Sequence, residues 1–293
     1  MTAYVFPGQG AQFPGMGKSL FDVNEYAQTL FKQADEVLGF SLSKVMFEGS
    51  EEELLQTRIT QPAIFVHSAV TYLAAEETPN PDAVAGHSLG EFSALVAAGA
   101  IAFPDALRLV SQRAQAMQEA ADRQEGAMAA VLGLDDAMIE EACARIDDIV
   151  VPANYNSPGQ LVISGSREGV ERASKILSDL GARKVIPLKV GGAFHSPLME
   201  PAREKLQEAI EATHFRPPGC DIYQNVDGGA SVAPEKIKEK LIRQLTAPVR
   251  WTQTVQQMQA NGIDRFVEVG GKGKVLAGLI KKVDRHLTVD QME

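Results

Sequence analysis

The chain has 293 residues, 45% of them hydrophobic and 23% charged, with a net charge of −10. A chain of that length buries a core large enough to stand without disulfide or metal staples. The acidic total excludes a general nucleic-acid binder, which needs a basic face against phosphates, and excludes electrostatic docking on an acidic membrane.

The N-terminus, Met1-Thr2-Ala3-Tyr4-Val5-Phe6-Pro7-Gly8, has no basic region followed by a long apolar run, so no signal peptide is expected. The longest nearly uncharged apolar stretch, 93–103, is too short to span a bilayer. Cys143 and Cys220 lie far apart and suggest neither a disulfide framework nor a cysteine zinc site. The expected compartment is a reducing cytoplasm.

Residues 3–6 read as a first strand halted by Pro7-Gly8, leading into the loop Gly8-Gln9-Gly10-Ala11-Gln12. A helix is predicted over 25–38 from apolar residues at helical spacing. Ser50 and Glu53 form a capping-box pattern that opens a short helix. A longer buried helix is predicted over 62–76 and a short strand over 83–85. A helix follows over 91–98, then one opening on Phe103-Pro104 and fading near Asp122.

The pattern changes near Gly126. Strands at 127–132, 149–154, 160–164 and 184–188 alternate with helices at 135–146 and 168–180. The order βαββαβ fits a ferredoxin-like unit inserted in a larger α/β domain. The expected division is therefore 1–125 with 191–293 as the large domain and 126–190 as the insert. Beyond it, Ser196-Pro197 starts a helix to about 212, strands fall at 222–224 and 265–269, and helices at 234–245, 251–261 and up to 282.

Gly86-His87-Ser88-Leu89-Gly90 matches the nucleophile elbow, G-x-S-x-G between a strand and a helix. A tight turn projects the Ser88 hydroxyl, and glycines on either side leave room for neighbouring backbone. The new helix points its amides at the same spot, so the Leu89 N–H is placed to stabilise an oxyanion. A serine needs a base. Of the five histidines, His67 lies on an apolar helix, His87 is expected to be turned away by the elbow, and His214 and His286 have polar neighbours. His195 sits on a glycine-rich connection before a helix cap, which favours it. Asp135, Asp147 and Asp179 all fall in the insert, so no catalytic acid is evident and a Ser–His dyad is expected. Arg113, mid-helix among small and apolar neighbours, either snorkels or presents its fork to a carboxylate in a pocket. Gly8-Gln9-Gly10 is not a dinucleotide fingerprint, because Phe13 stands where the third glycine belongs. It is either a plain turn or the donor of a second oxyanion N–H. A serine esterase and a non-catalytic docking module are the competing readings. The first needs water at the acyl-enzyme, and the intact elbow weighs against the second.

Six motifs occur in order: Gly8-Gln9-Gly10-Ala11-Gln12; Gly86-His87-Ser88-Leu89-Gly90-Glu91; Gln112-Arg113-Ala114; Asn154-Tyr155-Asn156-Ser157-Pro158-Gly159-Gln160; Gly192-Ala193-Phe194-His195-Ser196-Pro197-Leu198-Met199; and Gln244-Leu245 through Pro248-Val249-Arg250-Trp251. Together they resemble the malonyl-CoA:acyl-carrier-protein transacylases of bacterial fatty-acid synthesis. The resemblance implies an α/β, hydrolase-like large domain with a mostly parallel sheet. It implies Ser88 as nucleophile, His195 as base then acid, and the Gln244 backbone carbonyl orienting the histidine. It implies Gln9 and Leu89 N–H groups as the oxyanion hole and Arg113 as the site of the malonyl carboxylate. Ala193-Phe194-His195 is the malonyl type of that motif, with Phe194 crowding an α-methyl branch. No cofactor is implied; malonyl-CoA is a substrate and acyl carrier protein the partner.

The charge is uneven. Residues 1–150 hold 8 basic and 22 acidic side chains, whereas 151–293 hold 20 basic and 16 acidic. Arg265, Lys272, Lys274, Lys281, Lys282 and Arg285 crowd the last stretch. Carrier proteins of this kind are strongly acidic, so a docking surface including Lys272, Lys274, Lys281, Lys282 and Arg285 is expected, against the plain alternative of a solvated helix.

Overall fold

A computed structural model describes all 293 residues. Short apolar runs that end at glycine or proline become the strands of a central sheet. Strand β1 is Thr2–Phe6 and β2 is Ala83–Gly86. The middle of the chain supplies β3 (Gly126–Leu132), β4 (Val150–Ser157), β5 (Gln160–Ser166) and β6 (Lys184–Pro187). The last four are β7 (Asp221–Tyr223), β8 (Ala230–Ser231), β9 (Arg265–Val269) and β10 (Thr288–Met292).

The large sheet has the order β10-β9-β1-β2-β7-β8. Its pairs are parallel except for β7 with β8. The period of two along β1 divides its side chains between the two faces. Phe6 packs with the helices Glu25–Leu38, Thr57–Leu73, Gly90–Ala97 and Phe103–Arg123. Ala3 and Val5 face Trp251, Val255, Leu276 and Ile280 of the helices Trp251–Ala260 and Val275–Val283. A mostly parallel sheet covered on both faces is the expected α/β class.

The second sheet is antiparallel, with the order β4-β5-β3-β6. Two helices, Asp136–Ala144 and Arg167–Asp179, cover it, and Val131, Ile139, Leu161, Ile163 and Leu177 form a core of its own. Hydrogen bonds join the smaller sheet to the rest of the chain. Tyr155 N–H donates to Val249 O (2.9 Å) and Val249 N–H to Ala153 O (2.8 Å). Thr252 Oγ1 donates to Tyr155 O, and Lys282 Nζ to Gln160 Oε1.

The buried Glu268 carboxylate accepts the N–H groups of Val275, Leu276 and Ala277, which caps and orients the helix Val275–Val283. No helix is long and apolar enough to cross a membrane.

Several elements differ from the sequence reading. The predicted 62–76 helix is Thr57–Leu73, with Pro62 inside it. Pro62 lacks an N–H for the Arg58 carbonyl, but nearly every side chain from Thr60 to Tyr72 is buried, and that packing outweighs one lost bond. The helices Lys18–Val23 and Leu42–Glu48 were not anticipated; the first buries no side chain, so it shows no apolar stripe. Strand β10 was missed because Thr288-Val289-Asp290-Gln291-Met292 is a half-exposed edge with no apolar run.

The turn from β2 into the helix Gly90–Ala97 is the tightest packing in the sheet. A Cβ on Gly86 would fall 1.8 Å from the Gly90 carbonyl carbon, and one on Gly90 would fall 2.0 Å from Phe6 O. Both clashes are with backbone, which has nowhere to move. Gly90→Ala is expected to cost about 3 kcal/mol or more and to lower the thermal midpoint by several degrees, as read by calorimetry. An unchanged midpoint would mean that the elbow tolerates a side chain there.

Candidate active site

Ser88 sits at the end of β2 with φ 52°, in the left-handed region that a non-glycine residue adopts only under constraint. Such a conformation costs on the order of 1–3 kcal/mol and must be held by its surroundings. Two amide side chains hold it. Asn225 Oδ1 accepts the Ser88 N–H (2.7 Å) while Asn225 Nδ2 donates to Gly86 O (2.7 Å). Gln244 Nε2 donates to Ser88 O (2.9 Å). The turn is therefore gripped from two distant loops.

His195 lies on the connection into the turn Pro197–Met199, also at positive φ (58°). Its Nδ1 lies 2.9 Å from Gln244 O, and its Nε2 lies 2.8 Å from Ser88 Oγ. A carbonyl can only accept, so Nδ1 carries the proton and Nε2 is left as the acceptor for the serine hydroxyl. No carboxylate touches the ring. Burial pushes the His195 pKa down to about 3, with the Arg113 charge adding to the effect. The imidazole is thus neutral, as a base must be.

Arg113 is 1% exposed, mid-way along the helix Phe103–Arg123. Its Nη1 donates to Gln61 Oε1 (2.7 Å); its Nη2 reaches Ser88 Oγ (3.0 Å) and Gln244 Oε1 (3.2 Å). The alternative of a snorkelling arginine is settled by that burial: the head lies at the nucleophile, not in water. Burial lowers the Arg113 pKa to about 10, with Glu91 acting in the opposite direction. It stays charged at neutral pH.

Ser88, His195 and Arg113 line a cleft of about 300 Å³. Gln9, Leu89 and Phe194 line it too, and Met117, Met128 and Val162 give it an apolar wall. The Gln9 and Leu89 N–H groups donate to no carbonyl of the chain. All seven residues singled out from the sequence (Gln9, Ser88, Leu89, Arg113, Phe194, His195 and Gln244) thus gather around Ser88. The five basic docking candidates are exposed, but Lys281 Nζ turns back onto Arg285 O and Leu287 O and Lys282 Nζ onto Gln160.

Sequence reasoning missed Asn225, which grips the elbow from a segment between β7 and β8 that carries no motif signal. It missed Lys189, an exposed ammonium lining the cleft. It also missed the fixed partner of His87, whose Nε2 lies 2.8 Å from Asn156 Oδ1 across the two sheets. His87 is half-buried, lines the same cleft and bonds Asn156 rather than Ser88, and burial lowers its pKa.

The acyl transferase domain model matches residues 3–293. The malonyl CoA-acyl carrier protein transacylase of Bacillus subtilis is 46% identical over 97% of this chain and 91% of its own length. An acyl carrier protein S-malonyltransferase from Vibrio cholerae, solved by crystallography, superposes with a TM-score of 0.95 at 42% identity, over 99% of this chain and 96% of its own. A malonyl-transacylase solved in complex with a type II PKS acyl-carrier protein matches with the same TM-score at 41% identity, over 99% of this chain and 95% of that one. With a family model covering nearly every residue and relatives this similar over nearly their whole length, the chain belongs to the acyl transferase domain family, among the malonyl CoA-acyl carrier protein transacylases.

Proposed function

We propose that this chain transfers the malonyl group of malonyl-CoA to the phosphopantetheine thiol of an acyl carrier protein, through malonyl-Ser88, and so supplies fatty-acid synthesis. The observation that carries the reading is Arg113 Nη2 at 3.0 Å from Ser88 Oγ. A buried cation beside a nucleophile suits an acyl group that carries its own negative end.

In the first half, the Ser88 oxygen attacks the thioester carbonyl and His195 Nε2 takes the hydroxyl proton. The N–H groups of Gln9 and Leu89 receive the charge that develops on the carbonyl oxygen. The intermediate collapses, the carbon–sulfur bond breaks, and His195 returns the proton to the CoA sulfur. In the second half, the carrier thiol gives its proton to His195 and attacks malonyl-Ser88, and the serine hydroxyl re-forms. The Gln244 carbonyl fixes the imidazole tautomer in both halves. No resident cofactor is required, because the thioester is already an activated acyl group.

The same reading takes 1–125 with 191–293 as the catalytic domain and 126–190 as an inserted ferredoxin-like subdomain. The separate sheet and core of the insert support that division. Cytoplasmic residence fits two free thiols, Cys143 and Cys220. Phe194, 7% exposed at the cleft wall, narrows the space beside the acyl α-carbon.

Intact-mass measurement after malonyl-CoA treatment should show one malonyl adduct on the wild type and none on Ser88→Ala. An equal gain on both would overturn the proposal. Arg113→Ala should lower kcat/KM for malonyl-CoA by about a hundredfold or more, with a much smaller change for acetyl transfer; equal losses would remove the carboxylate role. For docking, Lys272 and Lys274 are the better pair to reverse, since Lys281 holds the end of its helix and Lys282 bonds Gln160 of the smaller sheet. Their double change to Glu should slow transfer to the carrier protein at low salt and leave Ser88 acylation intact. Unaltered transfer would put the docking face elsewhere.

A further inference from the structure

Glu91 follows the elbow in sequence, yet no step above uses it. It is 1% exposed. Its Oε1 accepts the N–H of Asn225 at 2.5 Å, and its Oε2 has no hydrogen-bond partner. Gln224 Oε1 and Arg113 Nε are buried without partners as well. A carboxylate sealed from water with one bare oxygen is an expensive arrangement unless a cation or a proton relieves it.

The cation is Arg113. Its own hydrogen bonds go to Gln61, Ser88 and Gln244, none of them charged. Arg113 and Glu91 make no hydrogen bond to each other, yet both reach the elbow: Arg113 through Ser88 Oγ, and Glu91 through Asn225, whose Oδ1 accepts the Ser88 N–H. Each favours the charged form of the other. No other charge acts on Glu91 from the elements packed against it. His87 on the elbow and His195 on its loop are both kept neutral by burial. The strand Thr2–Phe6 and the helix Thr57–Leu73 bring no charge to it. With the cleft empty and the pH above about 7, one buried anion balances one buried cation.

A malonyl carboxylate on Arg113 upsets that balance. The pocket then holds two anions and one cation in a medium that screens poorly. The substrate anion makes direct contact with the guanidinium, whereas Glu91 acts on it only at a distance. Like charges sharing a site drive one of them to protonate. We propose that Glu91 takes up a proton from solvent when a malonyl carboxylate occupies Arg113, so that the buried site stays neutral in both states. The bare Oε2 is the atom that receives it. Glu91 is poised for this: burial raises its pKa to about 7, against the lowering effect of the Asn225 N–H and of Arg113. It is a positioning residue, since it touches neither substrate nor reacting atoms, and it acts through Arg113. It also makes room for malonyl selectively, because an acetyl group brings no second anion.

This inference rests on the proposed malonyl transfer. Its test separates the two. Below the ordinary range of the CoA thiol, acylation of Ser88 neither consumes nor releases a proton: Ser–OH and the thioester become the ester and CoA–SH. The intact enzyme is mixed with malonyl-CoA at about pH 7.5, above the Glu91 pKa and below the thiol range, in weak buffer with an indicator dye, and the adduct is weighed in the same sample. The expected result is uptake of up to one proton per malonyl-Ser88 formed. None is expected with acetyl-CoA, or with Glu91→Gln, which keeps an acceptor for the Asn225 N–H. Adduct formation without uptake overturns the role of Glu91, as does equal uptake in Glu91→Gln. Absence of the adduct overturns the transfer itself, and this inference with it. Should Glu91→Gln not fold, isotope-edited infrared difference spectra of the wild type decide. A new protonated-carboxyl band on malonyl but not acetyl loading upholds the proposal, and its absence overturns it.

Discussion

The backbone of one residue organises this molecule. Ser88 is held at φ 52°, and the cleft is built around the consequences. The turn is possible because Gly86 and Gly90 let three stretches of backbone approach closer than any side chain permits. It persists because Asn225 takes the Ser88 N–H and Gln244 takes its carbonyl. Neither clamp is near Ser88 in sequence. The strain is local, and the groups that hold it come from the opposite half of the chain.

Burial then sets the chemistry. Removing water from the cleft keeps His195 neutral and able to accept a proton. The same desolvation makes Arg113 a costly cation, and on the proposed function an acyl group with a carboxylate is the ligand that makes direct contact with it. Gln244 joins the two effects: its backbone orients His195, and its side chain bridges Arg113 and the elbow. A carboxylate in place of that carbonyl would add a second negative charge beside the malonyl group. A neutral orienting group avoids it.

The smaller sheet does more than cover the cleft. Its strand β4 is hydrogen-bonded to Val249 and, through Asn156, to His87 in the elbow. Asn154 and Val162 line the cleft from that side, opposite residues of the large domain. The cleft is thus a seam between two cores, a common place for a site that must admit a long substrate arm.

Much of this was legible in the residues. The elbow follows from five positions, because only glycine fits beside the serine at that turn. The βαββαβ order follows from alternating apolar patterns, and the capping box at Ser50 and Glu53 forms as its residue types require. Local rules reach as far as local forces do. They missed the edge strand Thr288–Met292 and the helix start at Thr57, where burial by distant segments overrides propensity. They left Arg113 undecided between surface and pocket, and they had no way to find Asn225 or the buried position of Glu91. Those assignments depend on which side chains lose their water, and that is settled only when remote parts of the chain close over one another. The residue pattern alone names the proposed reactive groups; their charges and partners come from packing, because desolvation and long-range hydrogen bonds exist only in the packed molecule.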